Sequence, residues 1–146
     1  MTKAECARQV RQMGSLMGLL YLHFAKTLLS ELGEKEGKDL ILKAVTSYGA
    51  ERGQAIREAV EQAGLELTVE NYYEFSDLPS LGWEATEEGT IYCCYAEPWI
   101  QRGEEELGQL YCEVDVAKLN AYNPDLKVKR TKTLLEGDSF CQYIIE

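Results

Sequence analysis

The chain has 146 residues, of which 45% are hydrophobic, 27% are charged and only 3 are proline. This composition is typical of a globular protein and excludes disordered, collagen-like and low-complexity chains. The formal net charge of −10 disfavours nucleic acid and anionic membrane surfaces as partners. The length predicts one domain over residues 1–146.

The longest apolar run, residues 16–25, is interrupted by His23 and is about half the length of a membrane-spanning helix. Basic residues precede it, as in a secretory signal, but Lys26 follows it in place of a small-residue cleavage site. We interpret the run as a buried helix with His23 in the core or at its boundary. Five cysteines without a CxxC pair fit free thiols in a reducing compartment, so we predict a cytoplasmic protein.

Two long helices are predicted for the first part of the chain. Apolar residues recur at helical steps over residues 5–32, and Gly33 is a stop signal. The apolar stripe of this first helix consists of Val10, Met13, Leu16, Met17, Leu20, Phe24 and Leu28. A second periodic stretch covers residues 39–63. Gly49 and Gly53 lie inside it, where small residues favour close helix packing or, alternatively, the approach of a ligand.

The remaining chain mixes strand and helix patterns. Alternation predicts a strand over residues 65–70 and a hairpin from residues 81–85 and 90–96. A third helix is predicted from Pro98, is clear from Glu104, and ends at Asn123-Pro124. Residues 126–135 and 139–145 form a second predicted hairpin. The predicted class is therefore α+β: N-terminal helices packed on an antiparallel sheet of about four or five strands, with a further helix between two hairpins.

Candidate chemistry is concentrated in the last third of the chain. Cys112 and Asp115 are three residues apart on the third helix and are therefore neighbours. A carboxylate raises the pKa of a nearby thiol, so a reactive Cys112 requires a cation. Arg130 and Lys132 share the predicted inward strand face and require a partner such as Asp115, Asp138 or an anionic ligand. Alternatively, a bulge reverses the strand pattern, or the strand is a charged sheet edge.

Cys141 lies on the returning strand and can face the same interior as Cys112, although free cysteines are also common as small buried side chains. Because His23 is the only histidine, neither a histidine-rich metal site nor a conventional Ser-His-Asp triad is supported. We assign no metal ligands, and the residues leave any metal requirement and any cofactor unknown. The chain contains none of the glycine-rich nucleotide-binding motifs.

Four sequence blocks resemble the L-2-amino-thiazoline-4-carboxylic acid hydrolase family. They are residues 48–57 (YGAERGQAIR), 107–115 (LGQLYCEVD), 122–124 (YNP) and 130–141 (RTKTLLEGDSFC). The Gly-Asp-x-x-Cys ending of the last block is also similar to small-molecule-binding domains related to 4-vinyl reductase. The resemblance divides the chain into an N-terminal helical segment, residues 1–32, and a hydrolase-like region, residues 33–146.

The resemblance implies a hydrolase that opens a small cyclic amidine, such as 2-amino-thiazoline-4-carboxylate, by adding water to give N-carbamoyl-cysteine. The chemistry of this reaction assigns candidate roles without selecting one scheme. Asp115 is a general base or the partner of the amidinium, and Cys112 or Cys141 is a nucleophile. Arg130 or Arg52 holds the substrate carboxylate. The candidate catalytic residues are Cys112, Asp115, Cys141 and Asp138, and the candidate substrate-binding residues are Arg130, Arg52 and Lys132.

Two other functions remain open at this stage. One is a non-catalytic small-molecule-binding or sensor domain of the same fold, because the polar groups that line a pocket look alike in both cases. The other is a homodimer formed through the sheet edge or the first helix, which is compatible with either of the first two. Both the hydrolase and the binding-domain hypotheses predict a small molecule as the partner.

Overall fold

The computed structural model describes residues 2–146 and is mostly helical. The helices are α1 (Lys3–Leu32), α2 (Glu34–Gln62), α3 (Val69–Glu74), α4 (Glu97–Ile100) and α5 (Glu105–Tyr122). The strands are β1 (Trp83–Ala85), β2 (Thr90–Cys93), β3 (Val128–Lys132) and β4 (Gln142–Ile145). Short 3₁₀ turns cover Ser80–Gly82 and Leu134–Glu136.

The first two helices form in the predicted part of the chain and meet at a glycine. Helix α1 starts with a capping box, in which the Thr2 side chain accepts the Glu5 N–H and the Glu5 carboxylate accepts the Thr2 N–H. It ends at Gly33, whose φ of 83° is unfavourable for other residues. Helix α2 begins directly afterwards, earlier than the predicted residue 39. The predicted stop at Gly33 is confirmed.

Helices α2 and α5 pack closely through two glycines. A Cβ atom on Gly49 would lie 2.6 Å from the backbone oxygen of Val114, and one on Gly53 would lie 2.0 Å from that of Lys118. No larger residue fits these positions without moving a backbone. The helix-packing interpretation of the two glycines is therefore confirmed, and this contact fixes the position of α5.

The prediction of one sheet of four or five strands is wrong. The strands form two antiparallel pairs, β1 with β2 and β3 with β4. An isolated bridge between Thr90 and Cys141, with backbone hydrogen bonds of 3.0 and 2.8 Å, joins the two hairpins. The bridge does not extend into a continuous sheet, and the two hairpins remain separate strand pairs. The predicted α+β class is confirmed, because helices and antiparallel strand pairs are both present.

The strand predicted for residues 65–70 is also wrong. Thr68 accepts the Asn71 N–H through its hydroxyl oxygen and thereby starts α3. Leu67 packs against a small core between α2 and α5 that contains Val60 and Tyr122. A tertiary contact and a helix cap thus override the local alternation.

A larger core lies between α1, α2, α4 and α5. It includes Leu22, Ile41, Trp99 and Leu107, all buried. The indole N–H of Trp99 donates to the backbone oxygen of Gly18 at 2.8 Å, which satisfies the polar atom of this buried ring.

The apolar stripe predicted to bury α1 lies largely in water. Helix α1 instead buries Gly14, Gly18, Leu22 and Ala25. The glycines allow the chain around α4 to come very close, because a Cβ atom on Gly18 would lie 2.5 Å from the Tyr95 oxygen. Five large side chains remain 43–65% exposed, and we call them the outer face of α1: Met13, Leu16, Met17, Leu20 and Phe24.

His23 is exposed as well, so its predicted place in the core or at its boundary is wrong. Within residues 2–146, no helix combines the length and the apolar character needed to cross a bilayer. The five cysteines are free thiols.

Candidate active site

Three polar side chains recur on one side of α5. Cys112, Asp115 and Lys118 are spaced three residues apart, so they follow one another along the helix surface. The close contact of α5 with α2 brings Arg52 to this side. The β3–β4 hairpin contributes Arg130 and Tyr143. We call these six residues the α5 site.

Asp115 lies at the centre of the α5 site. The Tyr143 hydroxyl donates to Asp115 Oδ2 at 3.2 Å. Burial raises the pKa of the Asp115 carboxyl, while the Tyr143 hydrogen bond and the charges of Lys118, Arg52 and Arg130 oppose this rise. Asp115 is thus a desolvated carboxyl surrounded by positive charge.

Arg130 is the cation nearest to this carboxyl on the hairpin. It faces Tyr143 across the β3–β4 pair, and its Nη2 donates to Glu113 Oε1 at 3.2 Å. Burial opposes its charge, but Tyr143, Cys112 and Glu113 together raise its pKa. The hydrogen bond with Glu113 engages one of the five guanidinium N–H donors. Arg130 is therefore a permanent cation that can bind an anion.

Arg52 and Lys118 converge on a carboxylate in the loop after α3. Arg52 binds Asp77 through two nitrogens, at 2.6 and 2.9 Å, and Lys118 Nζ donates to the same carboxylate at 2.7 Å. Partial burial disfavours ionised Asp77, but these hydrogen bonds outweigh it and lower its pKa to about 2. Arg52 is thus already engaged in a bidentate pair, and Asp77 joins α2 to α5.

The two candidate thiols have different surroundings. Burial and the charge of Asp115 raise the pKa of Cys112, and Arg130 only partly opposes this effect. Cys112 is consequently a neutral thiol at physiological pH. Cys141 Sγ accepts the Leu134 N–H at 3.3 Å and lies 3.8 Å from the Thr133 hydroxyl, so it is held in the last hairpin.

Asp138 and Lys132 have other contacts. Asp138 accepts the Thr133 N–H at 2.9 Å and closes the turn before β4. Lys132 is exposed, with its Nζ 4.4 Å from the centre of the Phe140 ring. A register shift between Arg130 and Lys132 breaks the alternation of β3, as the bulge alternative predicted. In the described part of the chain, neither Asp138 nor Lys132 hydrogen-bonds to Asp115.

An open groove of about 690 Å³ runs between α2 and α5, and none of the six residues of the α5 site lines it. Glu113, the partner of Arg130, lies at its edge, together with Ser47, Ala50 and Ala117. Cys112 and Asp115 are not part of its lining. Residues 2–146 contain no group of three or more His, Cys, Asp or Glu side chains placed to hold a metal ion.

Three functional residues were not among the candidates from sequence. They are Lys118 and Tyr143 of the α5 site, and Asp77, which binds Arg52 and Lys118. Lys118 continues the three-residue spacing of Cys112 and Asp115, which is a signal that could have identified it. Tyr143 shares a predicted strand face with Cys141. Asp77 carries no local signal, because its role depends on a contact between a loop and two distant helices.

The fold and the α5 site define a small α+β protein with a desolvated carboxyl enclosed by cations and tyrosines. The model of the L-2-amino-thiazoline-4-carboxylic acid hydrolase family matches residues 13–145. The match covers most of the chain, and the protein belongs to this family. Comparisons with curated proteins and with solved structures gave no match.

Proposed function

We propose that the protein hydrolyses a small cyclic amidine of the 2-amino-thiazoline-4-carboxylate class. Family membership supports hydrolase chemistry of this type. The observation that carries the proposal is the desolvated carboxyl of Asp115, which is held by Tyr143 and flanked by Arg130. A cyclic amidine with a carboxylate needs a negative and a positive group, and Asp115 and Arg130, whose charges act on each other, supply both.

Recognition uses the two charges separately. The protonated amidine is a planar cation whose N–H groups match a carboxylate, so the charge of Asp115 stabilises it. Arg130 binds the carboxylate of the substrate, because its guanidinium has N–H donors beyond the one bound to Glu113. Arg52 does not bind the substrate, since its guanidinium already binds Asp77 through two nitrogens. It contributes its positive charge, which acts on Asp115.

The reaction is an addition of water followed by ring opening. Asp115 takes a proton from water through Oδ1, because Oδ2 accepts the Tyr143 hydroxyl. The water oxygen bonds to the ring carbon between nitrogen and sulfur. As the bond from this carbon to sulfur breaks, the sulfur leaves with the electron pair and receives the proton from Asp115. The hydroxyl on the same carbon loses its proton to solvent and becomes the carbonyl oxygen, which balances the proton that the amidinium carried. One water is consumed, the carbon becomes the carbonyl of a carbamoyl group, and the sulfur becomes a thiol.

The raised pKa of Asp115 suits this role. A general base is most effective when its pKa lies close to the working pH, and burial moves a carboxyl in that direction. Cys112 receives no nucleophilic role, because its raised pKa keeps it protonated. Asp138 and Lys132 receive no role either, since the first closes a turn and the second is exposed.

The test is turnover of 2-amino-thiazoline-4-carboxylate, followed by mass spectrometry of the product and by titration of the released thiol. We expect Asp115→Asn to reduce kcat by roughly 10²–10⁴-fold, the range of general acid–base catalysis, and also to weaken binding, because asparagine lacks the charge that pairs with the amidinium. Asp138→Asn is the matched control and should keep wild-type turnover. Full activity of Asp115→Asn would remove the proposed base.

The same experiment separates catalysis from binding alone. If wild-type protein binds cyclic amidines in calorimetry but converts none of a panel of them, the protein is a binding or sensor domain. In that case Asp115→Asn and Arg130→Gln would weaken binding without any effect on product formation.

A further inference from the structure

The outer face of α1 is the largest described group of exposed apolar side chains on one element. Its five residues recur at steps of three and four, so they form one continuous strip along about 17 Å of helix. With about 200 Å² for each fully exposed side chain of this size, the strip leaves on the order of 550 Å² of apolar surface in water. This is at the upper end of the largest apolar patches on monomeric proteins.

We propose that the outer face of α1 is the interface of a homodimer. Two copies of α1 pack antiparallel across a two-fold axis that crosses the helix between Met17 and Leu20. The contact is isologous, because the same strip serves both copies. It involves none of the residues of the α5 site, so it is independent of the proposed hydrolase function.

The order of residues along the strip fits this symmetry. With the axis between Met17 and Leu20, Met13 lies opposite Phe24 of the partner subunit, and Met17 lies opposite Leu20 of the partner subunit. Each pair occurs twice, so four of the five residues of the strip meet another residue of the strip, and Leu16 lies opposite Tyr21 of the partner subunit.

The area also meets the requirement of a stable dimer. Pairing of the two strips removes on the order of 1,100 Å² from water, and specific interfaces exceed about 1,000 Å². Helix α1 is held from behind by the close contact of Gly14 and Gly18 with Cys94 and Tyr95. The interface is therefore preformed, and association orders few additional groups.

A membrane surface is the less suitable occupant. A net charge of −10 opposes the approach of the protein to anionic lipid.

The experiment is sedimentation equilibrium of the full chain from about 1 to about 200 μM, a range that covers micromolar association. We expect a dimer for wild type. The double variant Leu20→Glu/Phe24→Glu should raise the dissociation constant by about 100-fold or more. Its circular dichroism and Tm should stay close to wild type, because both side chains are already exposed.

The matched control is Gln12→Glu/Ser30→Glu, which adds the same charge at exposed positions of α1 outside the strip. It should remain dimeric. A wild-type monomer over the whole concentration range would overturn the proposal, as would a dimer that survives Leu20→Glu/Phe24→Glu. A wild-type monomer that floats with phosphatidylcholine vesicles would assign the strip to a lipid surface instead.

Discussion

Tyr143 on the last strand donates its hydroxyl to Asp115 on α5 across 3.2 Å. The bond connects two elements that are far apart in the chain and fixes one oxygen of the carboxyl. It also favours the ionised form of a carboxyl whose pKa burial raises. Tyr143 therefore affects both the position and the protonation of the proposed base.

Tyr143→Phe should move the acidic limb of the pH–rate profile to higher pH. The variant removes a hydrogen bond that lowers the pKa of Asp115, so the carboxyl binds its proton more tightly. The expected displacement is on the order of one pH unit, since a hydrogen bond to a charged group contributes about 1.5–3 kcal/mol. Tyr73→Phe, at an exposed tyrosine near Asp115, is the control and should leave the limb in place. An unchanged limb in Tyr143→Phe would show that Asp115 is not the base that the profile reports.

Asp115→Asn should stabilise the protein at neutral pH. Because the folded-state pKa is raised, the folded chain binds more protons than the unfolded chain above the ordinary pKa of a carboxyl. The free energy of unfolding of wild type therefore falls as pH rises above the ordinary pKa of a carboxyl. The uncharged asparagine avoids this loss of stability. We expect a gain on the order of 1 kcal/mol, or a few °C in Tm, at pH 7, which disappears near pH 4.

Thermal unfolding at the two pH values measures this difference. Asp125→Asn removes the same charge at an exposed position and should change Tm little at either pH. A lower Tm of Asp115→Asn at pH 7 would contradict the desolvation of the carboxyl.

Asp77→Asn should destabilise the protein at pH 7 and leave it unaffected at low pH. The folded-state pKa of about 2 lies below the ordinary value of 3.8, so the stabilisation is present above pH 3.8 and is lost as pH falls through 2. The variant leaves the nearly buried Lys118 without its partner. After allowance for solvent screening of the partly exposed Asp77, we expect a loss of about 1–2 kcal/mol.

Urea unfolding at pH 7 and at about pH 1.5, below the folded-state pKa of Asp77, gives the measurement. Glu84→Gln is the comparison, because it breaks the exposed ion pair of Glu84 with Arg11 and should cost under about 1 kcal/mol. Equal losses for the two variants would mean that Asp77 contributes no more than a surface ion pair.

Neither thiol should be required for turnover. Cys112→Ala is expected to keep kcat within about tenfold of wild type, because the protonated thiol is a poor nucleophile. The same result is expected for Cys141→Ala, whose sulfur is bound to the hairpin backbone. A loss as large as that of Asp115→Asn, together with a covalent adduct in mass spectrometry of the wild type, would replace water by a cysteine as the attacking group.

The local pattern of the chain determined the main helices, the stop at Gly33, the end of α5 before Pro124 and the proximity of Cys112 to Asp115. These features depend on helical periodicity, backbone angles and side-chain spacing within a few residues, all of which are properties of a short segment. The glycine pair of α2 also indicated a close contact, because only small residues permit one.

Tertiary structure alone decided which side of α1 is buried. The sequence offers an apolar stripe and a glycine stripe, and close packing of the chain around α4 selected the glycines. It also decided that the hairpins share a single bridge, and that Asp77 joins Arg52 to Lys118. These contacts depend on the positions of residues far apart in the chain, and no local periodicity encodes such positions.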